Sequence, residues 1–270
     1  MPYECELRAA LDAVRLAGQA ILEDYARFEV VPDAPASITT DSDRRSQEII
    51  LQCLKKAFPA DGFCAEEQTA TLAQAVGTGP RVWIVDPIDG TRGFARKTGE
   101  FSVMVALLDR AQIAIGVVSE PAHARLTYAV RGNGCWRRDS DASVVQPCRV
   151  TNLSKLSEVT LTQSHSRRRD PPSRQLKALQ PARVVETYSA GIKLALVARG
   201  EVDLYLNTYD SCRDWDICAG QILVEEAGGR VTNLLGQEPR YGLPGAVQLH
   251  GLLASNGALH EAALAALKRD

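Results

Sequence analysis

Residues 83–91 read WIVDPIDGT. An apolar, β-rich run ends in an acid, Asp86, and a second acid, Asp89, follows three positions later, with Pro87 and Gly90 forcing the backbone to turn. Two carboxylates thereby meet at a strand end, where connecting segments usually carry function. A bare turn uses the same residue types, so this stretch gains its meaning from what surrounds it. Downstream, FSVMVALLD (101–109), IAIGVVSE (113–120) and RLTYAV (125–130) continue the strand signal, and a turn at Asn133 and Gly134 leads into Cys135 and Trp136. The close spacing predicts an antiparallel meander.

Upstream, residues 4 to about 28 place Leu7, Leu11, Val14, Ala17 and Ile21 along one side of an amphipathic helix. A loop containing Pro32 and Pro35 separates it from a second helix over roughly Asp43 to Ala57, which stops before Pro59. The second half alternates. VTLTQS (159–164) reads as strand, a helix follows Pro171 and Pro172, and VVET (184–187) is strand again. AGIKLALVARG (190–200) is a helix closed by Gly200, and VDLYL (202–206) is a strand. A helix from about Asp214 to Ala227 ends at Gly228 and Gly229, a glycine C-cap signal. The strand GLLAS (251–255) and an alanine-rich helix finish the chain. Helices and sheet in layers are expected, without internal repeats.

Composition narrows the function. A chain of 270 residues with 45% hydrophobic and 24% charged side chains folds as an ordinary globular protein. Lys plus Arg (31) nearly balances Asp plus Glu (33), so no overall field draws it to a nucleic acid polymer or an acidic membrane, and any anion must be held locally. Seven cysteines form no CxxC pair, the N-terminus lacks a basic stretch followed by an apolar core, and no apolar run is of membrane-spanning length. These features predict a reduced, cytoplasmic protein. Four histidines, none at i,i+4 spacing, argue against a zinc site.

Further acids join the first pair. Glu66 and Glu67 follow the short apolar segment GFC, and Asp216 opens the helix in WDICAGQILVEEAGG (215–229). Each alone is an ordinary cap or turn residue, but magnesium requires several oxygen ligands, and acids from three separate segments meet that demand. The Glu225–Glu226 pair reads as helix surface, and Lys193 in the 190–200 helix reads either as an exposed helical lysine or as a substrate contact.

WIVDPIDGT and WDICAGQILVEEAGG together, with the upstream Glu66–Glu67 pair, resemble the inositol monophosphatase superfamily of lithium-sensitive, magnesium-dependent phosphatases. Asp43, Glu66 and Asp86, spaced by 23 and then 20 positions, share that family's separations. The resemblance runs from about Asp43 to Asn256. It implies an α+β fold, a layered α-β-α-β-α sandwich of the inositol monophosphatase/fructose-1,6-bisphosphatase type. It also implies a single compact catalytic unit over 1–270, with an N-terminal α+β half (1–150) bearing the main metal motif and a C-terminal α/β half (151–270). By resemblance, Glu66, Asp86, Asp89, Asp216 and the Ile88 carbonyl hold roughly two or three Mg²⁺ ions. Thr91 positions the attacking water and Asp43 hydrogen-bonds that threonine, with Glu66 also catalytic. Gly90, Thr91, Arg92, Ser164, His165, Ser189, Lys193 and Asp216 face the substrate. A small phosphorylated metabolite and a homodimer are the implied partners.

Within the superfamily, DGTRGFARKTGEFSV (89–103) and TQSHSRRR (162–169) are similar to 3'(2'),5'-bisphosphate nucleotidases, which convert adenosine 3',5'-bisphosphate to AMP and phosphate. Arg92, His165, the Arg167–Arg169 run and Lys193 would reward the second phosphate. Pro32 and Ser37 depart from the pattern of the superfamily's members, Gln163 and Tyr188 from that of the nucleotidases, which leaves an inositol-1-phosphate, histidinol-phosphate or sugar-phosphate phosphatase as the alternative on the same scaffold. A non-catalytic metabolite-binding module is the remaining one.

Overall fold

The computed structural model describes residues 2–75, 79–139, 144–165 and 172–268. Arg167, Arg168 and Arg169 lie outside the described residues. Helix α1 (Glu4–Arg27) is followed by α2 (Asp41–Ala57), which begins two residues earlier than the sequence suggests. The cause is a capping box in which Thr40 N donates to Asp43 Oδ2 at 2.8 Å.

Strand β1 (Gly62–Ala65), the short helix α3 (Ala70–Ala73), β2 (Arg81–Asp89) and the short helix α4 (Thr91–Ala95) come next. The meander then runs through β3 (Ser102–Asp109), β4 (Gln112–Glu120), β5 (Arg125–Val130), β6 (Cys135–Asp139) and β7 (Gln146–Pro147). These seven strands form one sheet in chain order. Strands β2 to β7 are antiparallel, as the spacing implied, whereas β1, read from sequence only as an apolar segment, lies parallel to β2.

The second half supplies β8 (Thr160–Gln163), α5 (Arg174–Leu179), β9 (Arg183–Glu186), α6 (Ala190–Ala198), β10 (Leu204–Asn207), β11 (Ser211–Arg213) and α7 (Asp214–Glu226). Strands β12 (Arg230–Thr232), β13 (Val247–Leu249) and β14 (Leu252–Ser255) precede the final helix α8 (His260–Lys268). A five-stranded sheet has the order β12-β14-β10-β8-β9, and β11 pairs with β13.

Alternation along the strands explains the layers. Trp83, Val85, Val103, Val105 and Leu107 pack with the apolar faces of α1 and α2. Their neighbours Ile84, Met104, Ala106 and Leu108 face the other way, onto α6 and α7. Those two helices approach so closely that a Cβ on Gly220 would lie 2.3 Å from Leu194 Cδ1. A third core, with Leu161, Leu204, Leu253, Leu179 and Leu264, joins the five-stranded sheet to α5 and α8. The order is therefore helix, sheet, helix, sheet, helix, the α+β sandwich expected.

Two details correct the sequence reading. Glu225 and Glu226 are half-buried, not helix surface, and Glu226 accepts from Gly132 N (2.8 Å) and Gly134 N (2.9 Å), tying the β5–β6 turn to α7. Lys193 is 1% exposed, so it is not a solvated helical lysine.

Candidate active site

A polar stripe on α2 organises the motif loops. Asp43, Ser46 and Gln47 share the buried face that continues as Ile50, Leu51 and Leu54. Asp43 Oδ1 accepts from Thr91 Oγ1 at 2.9 Å, and Thr91 Oγ1 is also 3.0 Å from the Ile88 carbonyl. Ser46 Oγ donates to Pro87 O at 2.9 Å. Gln47 clasps the Glu67 backbone, donating to its carbonyl at 2.6 Å and accepting from its N–H at 2.8 Å. One helix face thus sets both the DPID turn and the strand end that carries Glu66. Sequence reasoning found only Asp43 here; polar residues at i+3 and i+4 on the apolar side of α2 were the signal for the other two.

Asp89 joins the two halves of the chain. Its carboxylate accepts from Ser102 Oγ (3.2 Å), Ser189 Oγ, Ala190 N (3.1 Å) and Gly191 N (2.7 Å). Ser189 is also the N-cap of α6, accepting from Ile192 N at 2.9 Å. Asp89 therefore sits as a fixed negative charge at the positive end of that helix. Gly90 has φ +85°, and a Cβ there would meet Glu100 O at 2.8 Å, so both conformation and space require glycine.

The remaining carboxylates crowd one another. Asp86 is 2% exposed, its Oδ1 is buried without a hydrogen-bond partner, and burial followed by the charges of Glu66, Asp89, Asp216 and Asp43 pushes its proton affinity well above the usual carboxylate range. Glu66 follows the end of β1, and removal from water, then the Asp216, Asp43 and Glu67 charges, raise its proton affinity above the usual carboxylate range. Asp216, in the first turn of α7, accepts from Arg213 N at 2.6 Å and is pushed up to about 7 by burial, with Asp89 adding to the rise. Burial also raises Asp43. Among the described residues no three acids already ring one point at ligand distance. The donor set nevertheless fits a hard divalent cation: it is all oxygen, it carries an orphaned buried carboxylate oxygen, and its mutual repulsion is what such an ion relieves.

Beside the carboxylates lies a wall of aromatic and basic groups. Tyr188 packs against His165 with ring centroids 4.3 Å apart and planes tilted by 41°, its hydroxyl accepts from Arg96 Nη1 at 2.6 Å, and the Arg92 guanidinium lies 5.4 Å from its ring. Arg92 Nε is buried without a hydrogen-bond partner. His165 Nε2 is 2.7 Å from Glu100 Oε2, and its Nδ1 is 3.7 Å from Glu186 Oε2. Gln163 Nε2 donates to Glu186 Oε1 at 3.2 Å. Pro32 and Ser37 lie in the exposed connection between α1 and α2. Ser164 and His165 form one side of a cavity of about 620 Å³ that continues past Val184 and Glu186 to Leu206, Asn207 and Tyr209. Lys193 Nζ donates to Ser164 Oγ, Thr187 O and Tyr188 O.

A family model described as the inositol monophosphatase family matches residues 3–270. A histidinol-phosphatase of Mycobacterium tuberculosis is 32% identical over 89% of this chain and 88% of its own length. An inositol-1-monophosphatase of Mesorhizobium japonicum is 30% identical over 97% and 96% of the two chains. The solved extragenic suppressor protein suhB of Bartonella henselae superimposes with a TM-score of 0.81 at 27% identity, covering 97% of this chain and 98% of its own.

Proposed function

Since this chain belongs to the inositol monophosphatase family of metal-dependent phosphoric monoester hydrolases, we propose that its metal is Mg²⁺ and that its substrate is a small monoester whose leaving group enters the cavity beside His165. The observation carrying this reading is that the charges of Glu66, Asp89, Asp216 and Asp43 all bear on the buried Asp86, beside the Thr91–Asp43 hydrogen bond. When bound, a divalent cation activates water for attack and stabilises charge building on the phosphoryl and leaving oxygens. Glu66, Asp86, Asp89, Asp216 and the Ile88 carbonyl are the groups to hold it. The proton of Thr91 Oγ1 is directed to Asp43 and the Ile88 carbonyl, which leaves the hydroxyl lone pairs to accept from the attacking water and orient it. Asp43, raised by burial, is suited to take the proton passed through that hydroxyl.

Two substrate readings compete. A cationic leaving group such as that of histidinol phosphate is favoured by Glu100 and Glu186 flanking His165, and a 32% identical relative is a histidinol-phosphatase. Among the described residues the adenosine 3',5'-bisphosphate reading is supported by the unpartnered Nε of Arg92, because Lys193 and His165 already have protein partners. Phosphate release from histidinol phosphate, adenosine 3',5'-bisphosphate and inositol-1-phosphate, each with Mg²⁺ and with excess EDTA, is the test. Hydrolysis is expected only with Mg²⁺, and Li⁺ is expected to inhibit, since it matches Mg²⁺ in size with half its charge. Full activity in EDTA would refute the metal assignment. A tenfold preference for the bisphosphate would establish the nucleotidase reading, and a tenfold preference for inositol-1-phosphate would exclude both.

A further inference from the structure

Lys193 is a charged side chain with its ammonium inside the protein. It is 1% exposed, and its Nζ donates to Ser164 Oγ (3.0 Å), Thr187 O (2.9 Å) and Tyr188 O (3.1 Å). An ammonium has three protons, so its donor capacity is spent on these partners and none remains for a substrate phosphate. Burial of a lysine at this depth is costly unless the charge is compensated. Here burial lowers the pKa to about 8, opposed by the fields of Asp89, Glu100 and Asp216, and the Tyr205 ring lies 5.4 Å from Nζ.

The three partners belong to two functional walls. Ser164 lines the cavity, whereas Thr187 and Tyr188 lead directly into Ser189, Ala190 and Gly191, all of which donate to Asp89. The short segment is held from the opposite side as well, because Tyr188 N donates to Glu100 Oε2 at 3.2 Å and Thr187 N to Gln163 O at 3.1 Å. Two carbonyls held by one cation, and the N–H groups of the same two residues held by Gln163 and Glu100, fix the segment that leads into α6 beside Asp89.

We propose that Lys193 is a positioning residue that acts through the 187–189 segment on Asp89 and through Ser164 on the cavity wall, without touching substrate. The inference rests on the reading of Asp89 as a metal-holding carboxylate.

Lys193→Met, of similar length but without charge or donors, tests it beside Lys193→Arg and Ser164→Ala. Three quantities are measured: kcat and KM on the preferred monoester, Mn²⁺ affinity of the metal-free proteins by electron paramagnetic resonance, and amide hydrogen exchange at Ala190, Gly191 and Ile192. Lys193→Met is expected to weaken Mn²⁺ about tenfold, to lower kcat by a similar factor, and to speed exchange at those amides. Ser164→Ala is expected to raise KM several-fold with Mn²⁺ affinity unchanged. Lys193→Arg, which keeps the charge, is expected to recover most of the Mn²⁺ affinity; should Lys193→Met not fold, Ser164→Ala and Lys193→Arg still give the split between KM and metal binding.

A Lys193→Met protein with wild-type Mn²⁺ affinity and kcat but raised KM would overturn the proposal and make Lys193 a substrate contact. Unchanged exchange at the three amides would overturn it too. That exchange readout is independent of catalysis: a wild-type protein that binds no Mn²⁺ and releases no phosphate refutes the functional reading, while faster exchange in Lys193→Met still reports the strut.

Discussion

At the scale of single residues, the consequences follow from which proton and which charge each side chain handles. Asp89 accepts four hydrogen bonds and stands in the carboxylate group. Asp89→Asn replaces an acceptor-only group by one whose NH₂ meets other donors, and it removes a charge. Turnover is expected to fall by about 10²-fold or more, with a loss of roughly 1–3 kcal/mol in stability from the mispaired donors. Steady-state kinetics and a thermal melt measure both, and a near-wild-type rate would remove Asp89 from the metal site. Thr91→Ala is expected to depress kcat with KM little changed, and Thr91→Ser to restore it, because the bond to Asp43 needs only the hydroxyl. Equal activity of the alanine and serine variants would show that the hydroxyl orients no water.

Between elements, a buried ion pair fastens α6 to the central sheet. The Arg199 and Glu120 side chains are each 2% exposed and meet at 2.6 Å, with Thr127 Oγ1 also accepting from Arg199 at 3.1 Å. The pair gives little net stability relative to apolar packing, but removing one member strands the other. Glu120→Ala is expected to cost about 3 kcal/mol, at the low end for such breaks because Glu201 still meets Arg199 at 2.8 Å. Urea unfolding checks it: the midpoint should fall with the slope unchanged. Since α6 also carries the donors to Asp89, metal affinity in this variant is expected to change less than stability. The element pattern was largely legible in the sequence, since strands β2 to β5 and helices α1, α2, α6 and α7 follow from periodicity and glycine stops. The strand β1 was not, because four residues with no alternation carry too little signal, and its pairing to β2 is parallel and non-local.

For the whole molecule, pH acts on a histidine far from the chemistry. His260 is fully buried, held between Thr232 Oγ1 (2.9 Å) and Ser255 Oγ (2.8 Å), and burial lowers its pKa from 6.5 to about 4. Above pH 6.5 neither the folded nor the unfolded chain protonates it, so its stabilising effect is complete. As pH falls from 6.5 towards 4 the unfolded chain takes up a proton that the folded one refuses, and stability is lost, by roughly 3 kcal/mol in total. His260→Gln is expected to flatten the dependence of the unfolding free energy on pH in that window; an unchanged slope would show that other groups set it. The sequence alone carried the family resemblance, and through it the expected layered α+β order and the acids proposed for the site, because motif spacing is a property of the chain itself. Tertiary structure alone decided how those acids are used: Asp89 caps a helix a hundred residues away, and Glu226 ties down the turn at Asn133 and Gly134. Lys193, which from sequence was either an exposed lysine or a substrate contact, is buried with every donor occupied. The reason is physical: whether a polar side chain meets water, substrate or a backbone carbonyl depends on what the fold packs around it, and spacing along the chain does not encode that partner.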